Sequence, residues 1–248
     1  MKIAMWSGPR NLSTAMMYAF ASRSDCAVWD EPFYAAYLVI TNADHPMRAE
    51  TIASGEVDPI AVSRQLVGEN PNNRAYFYQK HMVHHMVPEM PMDWMADVRN
   101  VFLIRHPARV VASYLRKREA PVASDLGFGA TRQIYDRAVD LGQSPIVIDS
   151  ADIRDDPAGM LQTLCAALDM PWDPAMLSWP AGGRREDGAW APHWYGAIHR
   201  STGFDGPEGS LPEIPSAYQS LVEAGLAEFE MFRARALSPP KERAFPGA

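Results

Sequence analysis

Cysteine is nearly absent: the 248 residues hold only Cys26 and Cys165. Two thiols without metal-ligand spacing build neither a disulfide framework nor a metal centre, which points to a reducing compartment. Long apolar runs are missing as well. The start, "MKIAMWSGPR", has one lysine and a short apolar stretch halted by Pro9 and Arg10, so it reads as neither a signal peptide nor a membrane span. Both features predict a cytoplasmic protein with no membrane partner. Net positive charge is lacking too, because 23 Lys and Arg face 30 Asp and Glu for a net charge of -7. That balance excludes a general nucleic-acid or anionic-membrane binder and leaves room for a local basic pocket. No internal repeat occurs.

What is present is the composition of an ordinary globular protein, 47% apolar and 21% charged. The length suits one sizeable α/β domain spanning 1–248. Short apolar runs alternate with longer helical patterns, the signature of a mostly parallel sheet covered by helices. Strands are predicted at 2–6, 27–31, 75–80, 100–105 and 145–149, and helices near 11–23, 58–68, 108–119, 128–142, 156–170 and 215–235. Asp155 or Asp156 is placed to cap the helix that Pro157 opens. Residues 171–215 differ. They are rich in Pro and Gly and hold four of the seven Trp (Trp172, Trp179, Trp190 and Trp194), which favours a packed lid or substrate-side segment over a floppy linker. The stretch from 236 onward reads as a frayed tail.

The first predicted strand runs into "SGPRNLST" (7–14) and then a helix. A helix N-terminus at the carboxyl end of a strand offers unpaired N–H groups and a favourable dipole to an anion. Gly8 permits a tight turn, Arg10 supplies a fixed charge, and Ser13 and Thr14 offer hydroxyls. The Gly-Lys-Ser/Thr of a nucleotide triphosphatase is absent, as is an acidic magnesium partner. Taken alone, the stretch is equally a plain strand-helix turn with a cap.

A second signal lies in "NVFLIRHPARVVASYLRKR" (100–118), where a strand ends in Arg105, Pro107 stops it, and the next helix carries Ser113. An arginine fork and a hydroxyl so placed can converge on one phosphate. Arg116, Lys117 and Arg118 read as a solvated helix end opposite its own dipole, or as flanking charges for a nucleotide.

The two motifs together resemble the sulfotransferase family, which draws on 3′-phosphoadenosine 5′-phosphosulfate as sulfuryl donor. Pro9, Arg10, Asn11, Leu12, Ser13 and Thr14 fall on the family's Pro-Lys-Ser-Gly-Thr-Thr loop, with Arg for Lys and Leu for Gly. Arg105, Pro107 and Ser113 match its 3′-phosphate motif. "GRREDGAWAPHWY" (183–195) is similar to its late Arg-Lys-Gly segment, with Arg184, Arg185, Gly188 and Trp190 at matching positions. The resemblance implies a three-layer α/β sandwich with a mostly parallel central sheet, similar to the P-loop nucleoside triphosphate hydrolases. It also implies donor binding by Ser7, Gly8, Pro9, Arg10, Asn11, Leu12, Ser13, Thr14, Arg105, Ser113, Arg184 and Arg185, and a small-molecule hydroxyl or amine acceptor. A sulfuryl donor is already activated, so oriented N–H groups and cations suffice and the missing Lys-Ser pair is expected. An ATP-dependent kinase of related fold and a non-catalytic nucleotide-binding protein stay open, as does a homo-oligomer.

Beside Arg10, two groups are candidates for the catalytic machinery as proton acceptor. Glu31 ends the second predicted strand and is read as the base, or as a carboxylate paired with an arginine such as Arg10. His81 follows Lys80 at the third strand's end, similar to the Lys-Thr-His of cytosolic members; it is read as the base or as a packed or solvent-facing ring. Among His81, His84 and His85, two stand four apart as on one helix face, but no third ligand accompanies them at suitable spacing and no metal is expected.

Overall fold

All five apolar runs become strands, and all five run parallel: β1 (Lys2–Ser7), β2 (Cys26–Asp30), β3 (Tyr76–Met82), β4 (Arg99–Ile104) and β5 (Ile146–Asp149), in the order β2-β3-β1-β4-β5. A parallel sheet is covered on both faces, which is why its strands are almost continuously apolar. Ile3, Ala4, Met5 and Trp6 of the central strand are fully buried. The computed structural model describes residues 1–116 and 121–238. Lys117 and Arg118 of the expected basic helix end, and residues 239–248 of the expected tail, lie outside the described residues.

Eleven α-helices are seen among the described residues, besides short 3-10 turns: α1 (Ser13–Ala21), α2 (Tyr34–Thr41), α3 (Arg48–Ser54), α4 (Pro59–Val67), α5 (Pro107–Leu115), α6 (Ala123–Leu126), α7 (Phe128–Asp140), α8 (Ser150–Asp155), α9 (Pro157–Ala167), α10 (Ala191–Trp194) and α11 (Gln219–Arg233). Period-2 alternation along β1 divides the core. Ile3 and Met5 join Met16 and Phe20 of α1 and Leu161 and Leu164 of α9 on one face. Ala4 and Trp6 join Val62 and Leu66 of α4, Ile134 of α7 and Phe232 of α11 on the other. These are three layers, helix on sheet on helix. Among the described residues no helix is long and apolar enough to cross a membrane.

Local chemistry sets the helix starts that matter for the site. Pro107 opens α5 behind His106, whose Nδ1 accepts from Ala108 N at 3.2 Å. Asp149 caps α8 by accepting from Ala151 N at 2.9 Å, and Asp156, not Asp155, caps α9 through Gly159 N at 2.9 Å. The helices α2 and α3 fall where the sequence shows no capping pattern. In 171–215, Trp179 meets Tyr18 and Phe204 edge-on, and Trp190 meets Tyr34 in the same way, at centroid distances of 5.9, 5.2 and 4.9 Å.

Candidate functional site

Parallel strands put all their carboxyl ends on one edge, and β1 lies where the chain turns from one side of the sheet to the other, the usual place for a ligand crevice. A cavity of about 580 Å³ opens there. Residues 9–15 line it, joined by Glu31, Lys80, Arg105, Ser113 and Arg154.

The loop after β1 is tightly determined. A Cβ on Gly8 would stand 2.9 Å from the Leu126 carbonyl oxygen, so a side chain has no room. Arg10 (φ 66) and Leu12 (φ 69) both take left-handed backbone, which is strained for side chains other than glycine, by about 1–3 kcal/mol each. Leu12 therefore adopts a conformation that a glycine would take easily, and the cost concentrates in the loop that faces the cavity. Leu12 provides no side-chain cap to α1, and the first turn holds no acidic residue. The opening N–H groups of α1 are left for another acceptor, with the positive end of the helix dipole behind them.

The two arginine motifs meet. Arg10 Nε donates to Ser113 Oγ at 3.0 Å, and Arg105 Nη1 donates to the Arg10 carbonyl oxygen at 2.6 Å. Burial, then the charges of Arg105 and Arg116, lowers the pKa of Arg10, the mark of cations crowded without enough anion. Arg105 turns its other nitrogen to Glu208, which also pairs with Arg109 of α5 and Arg154 of α8.

On the β2–β3 side, the register sets Asp30 beside Lys80. Lys80 Nζ lies 2.8 Å from Asp30 Oδ1, 2.5 Å from Glu31 Oε1 and 2.7 Å from the Tyr195 hydroxyl oxygen. Tyr195 donates to Asp30 Oδ2 at 2.7 Å and accepts from Trp190 Nε1 at 3.1 Å. Burial opposes the Lys80 charge, yet Asp30 and Glu31 overcome it and raise its pKa above the ordinary value. Burial raises the Glu31 pKa, with Lys80 pulling against the rise. Glu31 thus pairs with Lys80 and not with the arginine suggested above. His85 Nε2 stands 3.9 Å from Glu31 Oε2, but burial and the neighbouring His84 and His45 push its pKa well down, so the ring is neutral.

Five of the sequence candidates are not brought to the cavity: Ser7, which is fully buried and donates to Met82 Sδ at 3.8 Å, Gly8, which packs against the Leu126 carbonyl, and His81, Arg184 and Arg185. His81 is 2% exposed and stacks on Trp6 at 4.5 Å and against Trp94 at 5.1 Å, and burial pulls its pKa to about 3. It is the packed ring of the two readings above. Arg184 lies over the Tyr18 ring at 5.5 Å and donates to the Ala21 carbonyl at 2.8 Å. The Arg185 side chain is 81% exposed and pairs with Glu186. A turn tied by Asp187, which accepts from Arg184 N at 2.9 Å and from Tyr18 at 2.7 Å, turns both arginines away. Sequence reasoning missed Arg109, Arg154, Tyr195 and Glu208. The signals were Arg109 one turn past Arg105 and Glu208 in Gly-Pro-Glu-Gly. Among the described residues no three His, Cys, Asp or Glu side chains are grouped to hold a metal ion.

Known proteins of similar sequence and shape agree with this architecture. Branched-chain-amino-acid aminotransferase-like protein 2 of Arabidopsis thaliana is 35% identical over 231 residues, covering 93% of this chain and 41% of that protein. The chain thus spans about two fifths of the curated relative's length. The sulfotransferase domain from the curacin biosynthetic pathway superposes with a TM-score of 0.52 at 14% identity, covering 96% of this chain and 98% of that one. The sulfotransferase from Alicyclobacillus acidocaldarius gives 0.50 at 13% identity over 95% and 96%. The likenesses to the two solved structures are of fold. The model that describes the sulfotransferase domain matches residues 1–236, most of the sequence, and the chain belongs to that family.

Proposed function

We propose that the chain moves a sulfuryl group from 3′-phosphoadenosine 5′-phosphosulfate to a hydroxyl or amine of a small molecule. The observation that carries this reading is the linkage Ser113–Arg10–Arg105, which joins the loop after β1 to the start of α5 over one cavity. A donor with a phosphosulfate at one end and a phosphate at the other needs two anion cradles. The uncapped α1 start with Arg10 suits the first, and Arg105 with its arginine neighbours suits the second.

The donor supplies a sulfuryl group already activated by its anhydride. Arg10 stabilises charge developing on the leaving oxygen and acts as a fixed cation, because a guanidinium does not give up its proton. Glu31 takes the proton of the acceptor. Lys80 keeps Glu31 ionised and, with Tyr195, fixes its position. In the transfer the acceptor oxygen or nitrogen bonds to sulfur as the bond from sulfur to the 5′-phosphate oxygen breaks, and its proton passes to Glu31. A positioned base contributes about 10²–10⁴-fold to such a step. The acceptor half of the cavity is walled by Tyr34, Tyr37, His84, His85, Trp190 and Trp194, and the segment from 171 to 215 covers it as a lid.

Calorimetry and label transfer test the reading together. The chain should bind 3′-phosphoadenosine 5′-phosphate at least about tenfold more tightly than adenosine 5′-phosphate, the equivalent of one charge-assisted hydrogen bond. It should pass label from donor to some member of a panel of small alcohols, phenols and amines. Equal affinity for the two nucleotides overturns the donor assignment.

A further inference from the structure

The Glu208 carboxylate sits where guanidinium groups from three elements meet. Arg105 follows β4, Arg109 lies on α5 and Arg154 on α8. Arg105 Nη2 and Arg154 Nη1 both donate to Glu208 Oε1, the latter at 3.0 Å, and Arg109 Nε lies 3.2 Å from Oε2. Only 3% of the Glu208 side chain is exposed, whereas residues 205–207 and 209–211 on either side are exposed. One carboxylate leaves most of the positive charge uncompensated. Asp205 is exposed and 3.9 Å from Arg154, too loose a pair to change that.

Glu208 is also an incomplete ligand. Among the described residues Arg105 Nε is shielded from solvent without a hydrogen-bond partner, and Glu208 Oε2 is in ion-pair range of Arg109 without forming a hydrogen bond. A phosphate monoester brings three acceptor oxygens and a charge of about -1.5 to -2, against two oxygens and one charge for the carboxylate. We propose that Arg105, Arg109 and Arg154 form a phosphate-monoester site for which Glu208 is the chain's own stand-in, and that a phosphate-bearing nucleotide enters by displacing it. This rests on the donor reading above, which makes the 3′-phosphate the incoming group. It gives that end of the cavity Arg154, with Arg109 behind Glu208, in place of Arg184 and Arg185, which face elsewhere.

The segment is built to let go. Residues 204–209 have no regular structure, Gly206 and Gly209 flank Pro207-Glu208 in open space, and Gly209 has a φ of 68 that glycine takes without strain. The same arginines hold its backbone: Arg154 Nε donates to Gly206 O at 2.8 Å, and Arg109 donates to the Glu208 and Gly209 carbonyls, to the former at 3.1 Å. Drawing these side chains onto a phosphate unlatches carboxylate and backbone together. The latch also lowers the apparent affinity for the nucleotide by the fraction of molecules in which it is open.

Calorimetric titration of wild type and Glu208→Gln with 3′-phosphoadenosine 5′-phosphate, adenosine 5′-phosphate and inorganic pyrophosphate tests the displacement. The variant should bind the bisphosphate about tenfold more tightly than wild type, with adenosine 5′-phosphate unchanged within about twofold. An equal or weaker bisphosphate affinity in the variant overturns the displacement, while the donor reading stands if wild type still prefers the bisphosphate. If wild type shows no such preference, the donor reading falls and pyrophosphate decides: a tenfold gain in the variant supports the site, and no gain overturns it. Removing a buried carboxylate from three arginines can unfold the chain, so hydrogen exchange on wild type is the second measurement. Saturation with bisphosphate or pyrophosphate, whichever binds, should speed amide exchange across residues 206–211; slower or unchanged exchange overturns the proposal.

Discussion

Arg10 Nε donates to Ser113 Oγ across 3.0 Å, joining two side chains 103 residues apart in the sequence. This bond couples the loop after β1 to the helix after β4, so each segment helps to hold the other. Ser113→Ala removes the acceptor and frees the Arg10 fork. A hydrogen bond to a charged group is worth about 1.5–3 kcal/mol, so binding of 3′-phosphoadenosine 5′-phosphate should weaken by about ten- to hundredfold in calorimetry. Adenosine 5′-phosphate should lose less, because its one phosphate does not need Ser113.

Gly8 carries a second expectation. The Leu126 carbonyl oxygen stands 2.9 Å from where its Cβ would be, and backbone cannot swing aside as a side chain end does. Gly8→Ala must shift either the loop or the Gly127 turn. Overpacking of this kind costs about 1–3 kcal/mol, and thermal melting should show it. Nucleotide affinity should fall with it, since Pro9 and Arg10 follow directly in the strained run.

The strands, the turn from β4 into α5 and the Asp156 cap were legible because each is a local pattern: apolar runs between turn residues, Arg-x-Pro, Asp before Pro157. What depends on register was not. The pairing of Asp30 with Lys80 follows from how β2 lies against β3, and no spacing in the chain reveals that Lys80, not Arg10, partners Glu31. The Glu208 cluster draws on residues near 105, 154 and 208, whose meeting needs β5 to lie beside β4. The helix Tyr34–Thr41 was missed because it starts without a side-chain cap and ends in Val39-Ile40-Thr41, a run that favours strand. Arg184 and Arg185 matched a pattern by position, yet the Asp187 turn, invisible in spacing, aims them off the cavity.

Lys80 should prove more important to the site than its burial suggests. Its one ammonium pairs with two buried carboxylates at once. Lys80→Met leaves Asp30 and Glu31 uncompensated, and breaking a buried pair costs about 3–5 kcal/mol. The Glu31 pKa then rises further, because burial acts unopposed by the ammonium. A base must be ionised to work, so the acid limb of the pH profile for transfer moves to higher pH in the variant. In wild type that limb should lie above the ordinary carboxylate value of about 4.3, because burial raises the Glu31 pKa. Glu31→Gln removes the proposed base, and kcat should fall by about 10²–10⁴-fold with little change in nucleotide affinity.

His81 offers the opposite expectation, a histidine that governs acid stability and leaves transfer alone. Its ring is packed between Trp6 and Trp94, with Nε2 3.4 Å from Gln79 Oε1, and it does not reach the cavity. Burial lowers its pKa from 6.5 to about 3, so between those values the unfolded chain binds a proton that the folded chain refuses. Stability contributed by this group is therefore complete above pH 6.5 and drains away as the pH falls toward 3. At pH 5 the loss relative to pH 7 is about 2 kcal/mol. Replacing His81 with Phe keeps an aromatic ring between the two tryptophans and removes the titration. Denaturant unfolding of His81→Phe at pH 7 and pH 5 should show a gap smaller by about that amount, while kcat for transfer stays within about twofold of wild type. A fall of a hundredfold or more in kcat would return His81 to the candidates for the base and displace Glu31.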